Sequence, residues 1–162
     1  DTISLFNGPN PVIELFDEQE HEEAFVAEKI RGWLDANIAP EEIGLIVRSH
    51  TQFDRAERAL TTADANYNSM SQAMEWVTGK VSLCTMHFAK GLEFKAVLLM
   101  ACDDDVLPLE ERIEAVNGDD QAMKEVNDTE RHLLYVACTR ARDELVITGV
   151  VPVSDFLEDL LC

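Results

Sequence analysis

Short apolar runs separated by longer stretches of helical periodicity dominate this chain, and that alternation restricts its architecture more than any other feature. "VIELF" (12–16), "IGLIV" (43–47), "VSLCTM" (81–86), "AVLLMA" (96–101) and "ELVITG" (144–149) read as strands. The run at 43–47 is apolar throughout, as expected of a strand covered on both faces. Between the first two, "DEQEHEEAFVAEKIRGWLDANI" puts Val26, Ile30, Trp33, Leu34 and Ile38 on one helical face. Acidic residues crowd its first turns, where they complement the helix dipole. Thr51 is expected to cap a second helix, with Phe53, Ala56 and Leu60 spaced for burial. Residues 61–80 read as a polar connection with one short helix. From Cys102 to Asn127 the chain is acidic and broken by Pro108 and Gly118, so a long irregular connection is expected, of the kind that is functional or mobile. A helix should open at Asp128 or Thr129 and run to about Ala141, and "VSDFLEDLL" (153–161) should close as a capped helix. This order predicts a three-layer α/β domain around a mainly parallel sheet.

The chain has 162 residues, enough for one domain with a normal core. It holds no apolar run long enough for a membrane span, and no basic segment followed by an apolar stretch that would read as a secretory signal. Beginning at Asp1, it reads as a mature product or an excised piece. Cys84, Cys102, Cys138 and Cys162 form no C-x-x-C pair; the first three lie in apolar segments and read as buried free thiols of a reducing, cytoplasmic compartment. Thirteen basic residues stand against 32 acidic ones, a net charge of -19. Since Lys and Arg drive affinity for phosphates, the chain alone should bind nucleic acid weakly, while its acidic surface suits protein partners.

In a parallel α/β sheet ligands sit outside the carboxyl ends of the strands, and three polar segments are expected there: Arg48, Thr85 to Glu93, and Thr139-Arg140. Each arginine has an ordinary explanation, as a solvated strand end or as a helix C-terminal cation, and a functional one, as a fork that clamps phosphate oxygens. "TMHFAKGLEF" (85–94) contains a Lys-Gly pair in the wrong order for a phosphate loop, with Lys90 before Gly91 and no hydroxyl after. His87 lacks a second metal ligand at standard spacing, and Asp103-Asp104-Asp105 reads as a solvated turn, so no metal site is expected.

"VSLCTMHFAKGLEFKAVLL" (81–99) resembles motif V of UvrD/Rep-type superfamily 1 DNA helicases, "ERHLLYVACTRARDELVITG" (130–149) resembles their motif VI, and "IGLIVRSHTQFDRAERAL" (43–60) is similar to motif IV. The resemblance implies that residues 1–162 are a second, RecA-like (P-loop NTPase-like) motor domain of a 3′→5′ DNA helicase or translocase, acting in DNA transactions such as repair. It further implies that ATP lies between this domain and an N-terminal RecA-like domain of the same protein, which holds the Walker A loop and Mg2+. Carried over by motif, Arg140 is the arginine finger and Arg48 a second γ-phosphate contact. Glu93 meets the ribose, Gly91 lets the backbone approach, Lys90 belongs to the site, and Thr85 and His87 face single-stranded DNA. Residues 61–80 are too few for the accessory domain that well-known members insert there. Two further readings remain: an ATPase that remodels protein–nucleic-acid complexes, and a degenerate copy used as a binding module.

Overall fold

The computed structural model describes residues 9–70 and 77–160. One six-stranded sheet, parallel at every pairing, runs in the order β1-β6-β5-β2-β4-β3. Its strands are β1 (Val12–Phe16), β2 (Ile43–Val47), β3 (Tyr67–Ser69), β4 (Val81–Thr85), β5 (Phe94–Leu99) and β6 (Ala141–Val150). All five expected strands are present, and the short β3 adds a sixth inside the stretch taken for a connection. Residues 71–76 of that stretch lie outside the described residues.

Apolar layers on both faces explain why the central strands lack polar alternation: every residue of β2 and β4 is buried. On one face Ile43, Leu45 and Val47 meet α1 (Gln19–Asp35) and α2 (Phe53–Thr62) through Val26, Ile30, Trp33, Ala56 and Leu60. On the other, Ile46, Val97, Leu99 and Ile147 pack against Leu133, Leu134 and Ala137 of α4 (Asp120–Cys138). The three-layer α/β expectation is therefore met. Gly44 is needed where β2 passes Phe94, because an added Cβ would lie 2.6 Å from the ring.

The helix ends depart from expectation in instructive ways. The α1 helix stops at Asp35, three residues before Ile38. Asn37 takes a left-handed φ of 69°, its amide donates to the Leu34 carbonyl, and the Ile38 amide donates to Trp33. This Schellman cap folds Ile38 back into the core beside Trp33. A matching cap ends α2, with Asp64 left-handed and the Ala65 amide on the Leu60 carbonyl. Thr51 does not cap α2: it lies in a 3-10 turn, His50–Gln52, and its hydroxyl pairs with Ser49 at 2.7 Å.

The acidic connection is also more ordered than expected. It contains α3 (Glu110–Ala115), and α4 opens at Asp120, about two turns before Asp128, where the Asp119 carboxylate accepts from the Ala122 amide at 3.1 Å. The closing segment is a 3-10 helix, Asp155–Leu160.

Candidate functional site: two edges of one sheet

The parallel sheet separates the expected site residues into two groups. Arg48 follows β2 and Thr85 ends β4, so both stand at the carboxyl edge. Arg140 immediately precedes β6 and Glu93 immediately precedes β5, which puts them at the amino edge, where Phe94 is in register with Ala141. The segment from Met86 to Leu92 crosses from one edge to the other over the α4 face, anchored by buried Met86, Ala89 and Leu92. The expectation of one constellation at the carboxyl ends is thus corrected. Strand direction splits it, because Arg140 ends a helix that runs back down the sheet.

At the amino edge, Arg140 is half-buried and held by oxygens that carry no formal charge. Its Nε donates to the Val136 carbonyl (3.2 Å), one terminal nitrogen to the carbonyls of Lys90 (2.9 Å) and Leu92 (3.2 Å), and the other to Thr139 Oγ1 (2.9 Å). Its own carbonyl accepts from the Phe94 amide at 2.8 Å. Among the described residues no carboxylate pairs with it, so its charge is oriented but not neutralised. Lys90 and Gly91 are exposed at the end of the 3-10 turn Phe88–Gly91. The Glu93 side chain is 64% exposed and stands 3.9 Å from Arg142, which is also bonded to Glu42.

The carboxyl edge is organised by a carboxylate that the motifs did not single out. Glu130 on α4 is fully buried and takes both prongs of the Arg48 fork, from Nε at 2.8 Å and a terminal nitrogen at 2.6 Å. Arg112 (2.7 Å) and the Leu109 amide (2.8 Å) complete its shell. Burial pushes the Glu130 carboxyl up, but these hydrogen bonds and the charges of Arg48 and Arg112 outweigh it and hold the group below its ordinary 4.5. Arg48 is only 4% exposed and gives both prongs to Glu130, so it is not a solvated strand end.

Thr85 is buried, and its hydroxyl accepts from the Phe88 amide at 3.2 Å, closing the turn that follows β4. His87 is exposed beside it. Desolvation, then the Arg48 and Lys90 charges, lower its pKa below the ordinary 6.5, so the ring is neutral at pH 7. Arg48, Ser49, His50, Thr85, His87 and Phe88 line an open recess of about 350 Å³.

A second buried ion network was equally invisible. Arg55 bridges Glu22 (2.8 Å) and Asp103 (2.9 Å), while Glu22 also takes the Ala101 amide and the Thr148 hydroxyl. Asp103 is therefore a buried partner of Arg55 and not part of a solvated turn; Asp104 and Asp105 are exposed. The buried thiols Cys84, Cys102 and Cys138 are all raised by desolvation, the first and last to about 12, which suits inert packing.

Residues 66–151, more than half of the chain, match the UvrD-like helicase C-terminal domain. The chain belongs to that family. This UvrD-like domain is 45% identical over 70 residues to the ATP-dependent DNA helicase PcrA of Staphylococcus epidermidis, covering 43% of the chain and 9% of that protein. It is 38% identical over 77 residues to the ATP-dependent DNA helicase Rep of Buchnera aphidicola, covering 48% of the chain and 10% of that protein. The match thus spans about a tenth of the length of these curated relatives. A crystal structure of the C-terminal domain of a possible DNA helicase from Lactobacillus plantarum shares the fold, with a TM-score of 0.67 at 20% identity over 98% of this chain and 87% of that one. No described helix is long and apolar enough to cross a membrane.

Proposed function

We propose that this UvrD-like domain is the second motor domain of an ATP-driven, 3′→5′ DNA helicase or translocase, and that its amino edge is half of an ATP site. The observation that carries the reading is Arg140, a guanidinium fixed by three carbonyls and a hydroxyl yet left without a carboxylate, beside exposed Gly91 and Glu93. Charge that develops on a transferring phosphoryl group is stabilised by such a preorganised cation, which needs no reorganisation when the group arrives. Glu93 can accept from ribose hydroxyls, Gly91 leaves room for the sugar at the backbone, and Lys90 lies on the same rim. This reading assigns Mg2+, like the phosphate loop, to an N-terminal RecA-like domain. His87 and the recess beside it are the place for single-stranded DNA, with Thr85 shaping the turn. Arg48 is left out of the phosphate-contacting set and positions α4 through Glu130.

The Arg140→Ala variant of the full-length protein tests this assignment. DNA-stimulated ATP turnover should fall by roughly 10³ or more while nucleotide binding survives, and unchanged turnover would remove the finger. The stretch encoded ahead of Asp1 should contain a G-x-x-x-x-G-K-[ST] loop. A second reading, an ATPase that remodels protein–nucleic-acid complexes in DNA repair or a related process, is favoured by the net charge of -19, which suits protein partners better than bare DNA.

A further inference from the structure

The loop after β5, helices α3 and α4, and the closing 3-10 helix enclose an open groove of about 500 Å³. Its floor is apolar: Leu107, Pro108, Ile113, Met123 and Phe156. Its rim is acidic, with Asp104, Asp105, Glu110 and Asp155. The lining contains four carboxylates and no cation. This differs from the rest of the molecule, where arginines neutralise key carboxylates: Arg55 those of Glu22 and Asp103, Arg48 and Arg112 that of Glu130. None of the four rim carboxylates has an ion-pair partner among the described residues.

From this juxtaposition we infer that the groove is a docking site for a basic amphipathic segment of another protein, with apolar anchors seated on the floor and flanking Lys or Arg on the rim. Charge selects the occupant. Unpaired like charges around an apolar recess repel one another, and a cationic segment relieves that repulsion while removing the floor from water. A nucleic acid would bring more negative charge to the rim, and a second copy would bring another net charge of -19. The groove shares no lining residue with the recess beside His87 or with the amino edge around Arg140 and Glu93, so the inference does not depend on the motor-site reading.

The test uses the chain itself and a designed peptide, a Leu-Phe pair flanked by lysines, titrated by heteronuclear NMR. Shifts should concentrate at Ile113, Met123 and Phe156, and affinity should fall as salt rises. The double variant Glu110→Lys/Asp155→Lys should weaken binding about tenfold or more. Ile113→Ser should weaken it without altering the salt slope. The double variant Glu20→Lys/Glu28→Lys, an equal charge change on exposed α1 surface, should do little. Unfolding curves for each variant confirm that the fold persists. Three outcomes would overturn the inference: pentalysine binding as tightly as the peptide, Glu20→Lys/Glu28→Lys weakening binding as much as the rim variant, or shifts scattered away from the groove.

Discussion

Glu130 gathers two arginines and a backbone amide from two separate segments while remaining out of water. Replacing it by alanine strands the Arg48 guanidinium in a buried site, and losing one partner of such a pair costs about 3–5 kcal/mol. Urea unfolding of Glu130→Ala should show that loss. Because the folded Glu130 carboxyl titrates below its ordinary 4.5, its contribution is fully present above that pH and is lost as pH falls through the lowered value. Stability of the native chain should therefore drop more steeply in acid than that of Glu130→Gln, which has no such group to protonate. None of this pairing was legible beforehand, since Arg48 and Glu130 stand 82 residues apart and meet only because α4 packs across β2. Glu93, Gly91, Lys90 and Arg140 were legible as candidates because their motifs are continuous in sequence. Their shared edge was not, because it depends on which way each neighbouring strand runs.

At the scale of elements, the helix ends and the short β3 carried the surprises, and the five longer strands did not. Runs such as "IGLIV" announce buried strands because no polar residue interrupts them. The first turns of α4 hid because Val126 is the only buried residue between Asp120 and Asn127, leaving almost no periodic signal. Asp119 was the available clue, a capping carboxylate after a glycine. Capping at the other end of a helix is testable at Asn37, whose left-handed φ favours glycine over any residue with a Cβ. In thermal melts Asn37→Ala should lose about 1 kcal/mol, and Asn37→Gly should match or slightly exceed the native chain.

Over the whole molecule, a charge of -19 acts against compactness. Exposed carboxylates repel over a Debye length that falls from about 30 Å at 0.01 M salt to about 8 Å at 0.15 M. The melting temperature should accordingly rise between those two concentrations. A fall on adding salt would mean that the surface ion pairs, and not the repulsion, dominate. Against this soft electrostatic background stands α4. One unbroken helix of 19 residues holds Glu130 in its body and hands the chain to Arg140 at its end. The six residues from Glu130 to the Val136 carbonyl that steadies Arg140 amount to roughly 9 Å of rod, at 1.5 Å per residue. Such a rod does not stretch. It fixes the spacing between the Arg48–Glu130 pair at the carboxyl edge and the Arg140 fork at the amino edge.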